Sequence, residues 1–168
     1  GRDYVGRLWQ VDISIPPMLV RNAPLELAEA REMRALLPAR PGGSHKGNFG
    51  HLLVLAGSEG KTGAAALTCE AGLRAGAGLV TLGVPASLND ILEAKLTEAM
   101  TLPLPEAADA RTLGAAAWAP IMDCLGTRFT VALGPGIGTH PETRELVVRL
   151  GSDLACPVVI DADGINNL

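Results

Sequence analysis

From His51 onward the chain repeats one phrase: a short apolar run, a glycine turn, then an alanine-rich stretch of helical spacing. No other feature constrains the fold as much. Runs that are apolar on consecutive residues need cover on both faces, and crossover helices are what cover a parallel sheet. The runs predict strands at Leu52–Ala56, Leu79–Val84, Ala99–Leu102, Thr130–Leu133 and Val158–Ile160. The stretches between them predict helices at Gly63–Ala75, Ser87–Leu96, Ala107–Leu125 and Pro141–Leu150. The expected class is therefore α/β with a mainly parallel sheet. With 48% hydrophobic residues and 3% aromatic ones, Ala, Gly, Leu and Val fill strands and helices alike, which suits a layered protein more than an all-β sandwich.

Upstream the pattern differs. Val5–Ile15 alternates apolar and polar residues and stops at Pro16-Pro17, as a strand closed by a breaker does. Leu25–Leu37 carries apolar residues at near-helical spacing, and Pro38, Pro41, Gly42 and Gly43 end it. The expected division is a segment 1–20, a connecting helix and linker 21–43, and a main region 44–168. At 168 residues the chain is long enough for one substantial core.

Charge and cysteine usage exclude several classes. The net charge is −4 without a Lys/Arg cluster, so neither nucleic acid nor an anionic membrane surface is an expected partner. Cys69, Cys124 and Cys156 are odd in number, widely spaced and free of any CxxC pair, which argues against a disulfide framework and a zinc site. They read as small buried hydrophobes in a reducing cytoplasm. No apolar run reaches the ~18 residues of a membrane span. The first residues lack the layout of a signal peptide, and the missing initial Met points to a longer parent chain or an expression product.

Three glycine clusters follow strands or helices. In Ala56-Gly57-Ser58-Glu59-Gly60-Lys61-Thr62-Gly63-Ala64, glycines lie between a strand end and a helix start, where main chain can approach a ligand and first-turn amides attract an anion. Gly60-Lys61-Thr62 resembles the end of a Walker A loop, but that motif needs glycine five residues before Gly60, where Leu55 stands. Lys61→Ala is accordingly expected to leave nucleotide binding little changed. Gly57, Gly60 and Gly63 do not match GxGxxG either, and a plain tight turn remains open. Gly72, Gly76 and Gly78 are read as helix termination and close helix–sheet packing. Leu133-Gly134-Pro135-Gly136-Ile137-Gly138-Thr139 is a stiff turn that suits either a plain connection or a ligand site. His140 beyond it reads as the residue that opens a helix. Asp161-Ala162-Asp163 places two acids at a strand's carboxyl end, where they can bind magnesium, orient a hydroxyl or cap a helix. His45 and His51 lack spaced carboxylates, and no residue is assigned to a metal.

In order and spacing, Ser44-His45-Lys46-Gly47-Asn48-Phe49-Gly50, Ala56-Gly57-Ser58, Thr62-Gly63-Ala64, Leu73-Arg74-Ala75-Gly76-Ala77-Gly78-Leu79-Val80, Gly134-Pro135-Gly136-Ile137-Gly138 and Asp161-Ala162-Asp163-Gly164-Ile165-Asn166 resemble the ADP/ATP-dependent NAD(P)H-hydrate dehydratase family of the ribokinase-like superfamily. The resemblance implies a ribokinase-like three-layer sandwich, of which this chain holds the N-terminal portion. Gly6–Pro16 looks like the last strand of the epimerase domain that precedes the dehydratase in bifunctional members.

The implied reaction is nucleotide-driven dehydration of hydrated NAD(P)H, NAD(P)HX. ADP or ATP with Mg2+ phosphorylates the added hydroxyl, and loss of phosphate restores the reduced dinucleotide. By position, Ala64, Gly136 and Gly138 look like contacts for the hydrated dinucleotide, with Asp161, Asp163 and Asn166 as the polar edge of its pocket. Lys46, Gly57 and Ser58 look phosphate-proximal. The family's catalytic acid and later motifs would lie beyond Leu168, so the chain alone is expected to be inactive. Other implied partners are the epimerase domain of the same parent chain and further copies in a homo-oligomer. The alternatives are another ribokinase-like small-molecule kinase and a non-catalytic dinucleotide-binding fragment. Ser14 stands where bifunctional members usually show glycine, and Gly164-Ile165 replaces Ala-Leu.

Overall fold

The computed structural model describes residues 9, 11–19, 28–37, 39–127 and 129–168, and its contacts divide into units 1–41 and 42–168. In the first unit, helix α1 (Ala30–Leu36) lies inside the predicted helical stretch. The Glu32 carboxylate accepts from Glu29 N–H at 3.1 Å, which caps its amino end. Residues 25–27 lie outside the described residues. The strand expected at Val5–Ile15 is not borne out over Val11–Ile15, which is irregular and exposed; the earlier part of that call, apart from Trp9, lies outside the described residues. Ser14 has φ 61°, and its N–H donates to Asp12 Oδ1 at 2.7 Å. That bend is incompatible with a strand and falls where a glycine would be unstrained.

The second unit carries the fold. Five parallel strands, β1 (His51–Leu55), β2 (Leu79–Pro85), β3 (Met100–Leu104), β6 (Phe129–Leu133) and β7 (Val158–Ile160), form one sheet in the order β3-β2-β1-β6-β7. In the central strand β1, Leu53 and Leu55 are buried on one face and Val54 on the other, so three consecutive apolar residues are all used. Helix α2 (Thr62–Ala75) and helix α3 (Asn89–Lys95) cover the Val54 face through Ala65, Cys69 and Leu92, with Leu88 from the 3₁₀ turn before α3. Helix α4 (Trp118–Cys124) and helix α5 (Pro141–Asp153) cover the Leu53 face through Ile121, Leu146, Val147 and Leu150. Helices on both sides of a sheet give the three layers that the family resemblance implied.

The helix predicted at Ala107–Leu125 forms only over its last part. Residues 107–125 hold a hairpin of β4 (Glu106–Ala107) and β5 (Ala110–Leu113), a 3₁₀ turn at Ala115–Ala117, and only then α4. Alanine's helix propensity is a fraction of a kcal/mol per residue, roughly 0.5 against most side chains, and tertiary bonds override it. Thr112 Oγ1 donates to Ile137 O at 2.5 Å, and Arg111 Nη1 reaches Glu59 Oε1 at 3.0 Å. Strand β3 also runs two residues further than Ala99–Leu102 implied, through Pro103. Proline is tolerated there because β3 is an edge strand.

The strand order places a reversal at the centre of the sheet. The chain steps from β1 outward to β2 and β3, then returns to β6 on the opposite side of β1. The helices that follow β1 and β6 therefore leave toward opposite faces. The carboxyl ends of such a strand pair open into a crevice, where open α/β sheets bind ligands.

Candidate functional site at the strand tips

Three loops meet at those carboxyl ends. The loop after β1 begins at Ala56-Gly57-Ser58, and Gly57 N–H donates to Pro135 O at 3.1 Å while Ser58 Oγ donates to Gly136 O at 2.8 Å. Ser58 is only 7% exposed, so that hydroxyl holds the second loop in place. The loop after β6 is anchored at its base by Gly134 N–H to Leu55 O, 3.0 Å. A Cβ on Gly134 would stand 2.1 Å from Asp161 O, so only glycine lets the β6 and β7 tips approach this closely.

The third loop, after β7, turns sharply into the short helix α6 (Asp163–Asn166). Ala162 has φ 48° and ψ −121°, a conformation that L-residues rarely adopt and that costs on the order of 1–3 kcal/mol. The turn brings Asp163 back over the β6 loop. Its Oδ2 accepts from Gly138 N–H at 3.1 Å and from Lys61 Nζ at 2.7 Å. The Lys61 ammonium, followed in smaller measure by the Gly138 amide and Asn166, holds the Asp163 carboxyl below its usual range; partial burial opposes this.

The structure therefore gathers Gly57, Ser58, Ala64, Gly136, Gly138, Asp161, Asp163 and Asn166 at one end of the sheet. Ala64 lies in the first turn of α2, whose amino end has no side-chain cap. Gly136 packs against it: an added Cβ would come 3.1 Å from Ala64 Cβ. Asn166 Nδ2 reaches Asp163 Oδ1 at 3.3 Å, while the Asp161 side chain is exposed.

Lys46 is not brought to this cluster. It precedes β1 at the amino end of the sheet, where its carbonyl faces Gly78, a glycine whose Cβ would lie 1.8 Å from Lys46 O. The five residues of β1 separate the two edges, roughly 16 Å of extended chain.

Two members of the cluster escaped the reading of the sequence. Lys61 was weighed only as a Walker lysine, and it is instead an ion-pair partner. Asn167, 1% exposed, donates from Nδ2 to Gly138 O at 2.8 Å and to Asp163 O at 2.6 Å. The only signal for Asn167 was an amide next to the Asp161–Asn166 motif.

Beside the tips, the α2 side of β6 and β7 forms an apolar groove of about 350 Å3, lined by Leu67, Ala71, Ala132, Pro135 and Val159. Among the described residues, no group of three or more His, Cys, Asp or Glu is placed to hold a metal ion. Asp163 is committed to Lys61 and Gly138, which leaves Asp161 as a lone carboxylate. These residues by themselves do not form a complete Mg2+ site.

A family model described as NAD(P)H-hydrate dehydratase matches residues 52–168. The bifunctional NAD(P)H-hydrate repair enzyme Nnr of Moorella thermoacetica is 41% identical over 170 residues, covering 100% of this chain and 32% of that protein. Its counterpart in Salinibacter ruber is 33% identical over 173 residues, with 100% and 32% covered. The chain thus spans about a third of the length of these curated relatives.

Among solved structures, the ADP/ATP-dependent NAD(P)H-hydrate dehydratase of Bacillus subtilis, co-crystallized with ATP/Mg2+, superposes with a TM-score of 0.61 at 30% identity. That match covers 80% of this chain and 44% of the other. A ribokinase-like superfamily protein of Enterococcus faecalis, 22% identical with a TM-score of 0.63 over 78% of this chain and 43% of its own, shares the fold.

Proposed function

The chain belongs to the NAD(P)H-hydrate dehydratase family, and from that premise we propose that it forms the substrate-facing part of an enzyme that dehydrates hydrated NAD(P)H at the expense of ADP or ATP. The observation that carries this reading is the junction of three strand-tip loops at the sheet's reversal point. Gly57 is bonded to Pro135, Ser58 to Gly136, and Asp163 to Gly138. Such a junction offers a dinucleotide a rigid, side-chain-poor floor and an uncapped helix end for its pyrophosphate.

In this reading Ala64 and Gly136 lie under the hydrated nicotinamide, and Gly138 continues the same wall. Asp161 and Asn166 supply polar groups at its edge, where the ring's added hydroxyl can be oriented. Gly57 and Ser58 keep the floor in place; the buried Ser58 hydroxyl is already donated to Gly136. Adenine nucleotide with Mg2+ supplies the phosphoryl group that turns the hydroxyl into a leaving group. No residue described here assembles a magnesium site, and the chain's own contribution is to bind and orient the hydrated dinucleotide. The three cysteines are free, which fits a reducing cytoplasmic setting. Among the described residues no helix is long and apolar enough to cross a membrane. An epimerase domain on the same parent chain and assembly into a homo-oligomer complete the proposal.

The test is to incubate protein expressed from the full reading frame with hydrated NADH, Mg2+ and either ADP or ATP while following NADH absorbance. Recovery of the reduced dinucleotide is expected with one nucleotide or both. No recovery, or phosphorylation of a sugar or vitamin alcohol in its place, refutes the assignment.

A further inference from the structure

The loop after β6 contains three glycines within five residues, Gly134, Gly136 and Gly138, and such a loop loses much conformational freedom when ordered. It needs tethers from outside itself: Ser58 and Thr112 hold the Gly136 and Ile137 carbonyls, and Lys61, Asp163 and Asn167 add contacts around Gly136 and Gly138. Lys61 meets the loop with its stem: a Cβ on Gly136 would come 2.9 Å from Lys61 Cβ and 3.1 Å from Lys61 O. With its head it reaches past the loop to Asp163 Oδ2, 2.7 Å away. The same oxygen accepts the Gly138 amide, and Asn167 Nδ2 spans Gly138 O and Asp163 O. Gly138 thus has both its N–H and its carbonyl engaged by the β7 side, while Gly136 rests on the α2 side.

We propose that Lys61 and Asp163 are positioning residues, a latch closed across the β6 loop that holds Gly136 and Gly138 in their ligand-facing conformation. This deepens the dinucleotide reading and rests on it for its consequence in binding. It moves Asp163 from a contact of the ligand to a support behind the contact, and it gives Lys61 a role that a phosphate-binding lysine does not have. The Lys61 side chain is 50% exposed and that of Asp163 is 18% exposed. An ion pair so wet contributes little to overall stability, and opening it leaves the fold standing.

The experiment uses protein from the full reading frame and the variants Lys61→Met, Lys61→Arg, Asp163→Ala and Lys61→Met with Asp163→Ala. Calorimetric titration with hydrated NADPH reads the site, and hydrogen exchange of the 134–140 segment reads the loop without any ligand. Lys61→Met is expected to weaken binding about tenfold, the loss of one well-placed tether, with faster exchange and an unchanged melting temperature. Lys61→Arg restores both, because it keeps the cation. The double variant binds within roughly twofold of Asp163→Ala alone, since the two residues act as one unit. Parental affinity and exchange in Lys61→Met, or equal damage from Lys61→Arg, overturns the latch. Should the parent itself fail to bind hydrated NADPH, the dinucleotide reading falls, and exchange that is fast in Lys61→Met and slow in Lys61→Arg still upholds the latch as a loop support.

Discussion

Replacing Gly134 by alanine tests the close approach on which the site is built. An added Cβ would stand 2.1 Å from Asp161 O and 2.6 Å from both the amide nitrogen and the Cα of Gly164. Ordinary van der Waals contact begins at 3.4 Å, so the overlaps are 3.4 − 2.1 = 1.3 Å and 3.4 − 2.6 = 0.8 Å. All three atoms are backbone and cannot swing away. Relief requires the β6 and β7 tips to part, which endangers Gly134 N–H to Leu55 O and Asp161 N–H to Leu133 O, each 3.0 Å.

Overpacking of this kind costs about 1–3 kcal/mol, a positive φ on an L-residue about 1–2 kcal/mol, and each lost hydrogen bond about 1 kcal/mol. With both bonds lost the expected loss is about 4–7 kcal/mol, a large part of a domain's whole stability. Gly60→Ala is the control, because Gly60 also has positive φ, 78°, but has nothing within 4 Å of the added Cβ. Its cost is the φ alone, about 1 kcal/mol. With a urea dependence of about 2 kcal/mol per molar, the denaturation midpoint falls by roughly 2–3.5 M for Gly134→Ala and roughly 0.5 M for Gly60→Ala. Equal shifts for the two variants would refute the steric argument.

Three further outcomes follow from the surroundings of single side chains. Burial, with a lesser push from Glu70, raises the Cys69 thiol to about 12, so a thiol reagent at neutral pH should leave Cys69 unmodified until denaturant is added; rapid labelling of the native protein would contradict its burial. His51 stacks on Phe129 with ring centroids 4.1 Å apart and bonds Thr81 Oγ1 through Nε2, and burial lowers its pKa. The folded state thus favours the neutral ring, and its contribution is present above the ordinary value near ~6.5 and lost as pH falls through it. His51→Gln should flatten the fall in melting temperature on that acid side, and an unchanged profile would exclude His51 as its source. Ala162→Gly should raise the urea midpoint slightly, since the relief of positive φ exceeds glycine's entropic cost by about 0.5 kcal/mol, whereas a lowered midpoint would show that Ala162 is unstrained.

The apolar runs revealed the sheet because a doubly covered strand leaves its mark on consecutive residues; Leu53, Val54 and Leu55 are all 0% exposed. Helices α2 and α5 were legible for the complementary reason, since each pairs a buried face with an exposed one. The hairpin at Glu106–Leu113 was not, because its bonds to Glu59, Ile137 and α5 come from elsewhere in the chain and outweigh the propensity of a few alanines. The candidate site divides along the same line. Glycine tips after strands are local features, and Gly57, Gly134, Gly136 and Gly138 stand out in the sequence. What holds them is not local: Lys61 and Asp163 are 102 residues apart and meet only because β1 and β7 flank β6.

Lys46 shows the converse. It lies near the first glycine loop in sequence, and the family resemblance made it a phosphate candidate. But β1 is fully extended between them, and a strand carries the chain from one edge of the sheet to the other. Nearness along the chain therefore does not mean nearness in space here, while the parallel order of the strands brings distant carboxyl ends together. A basic group serving this site has to come from a carboxyl-end loop, as Lys61 does.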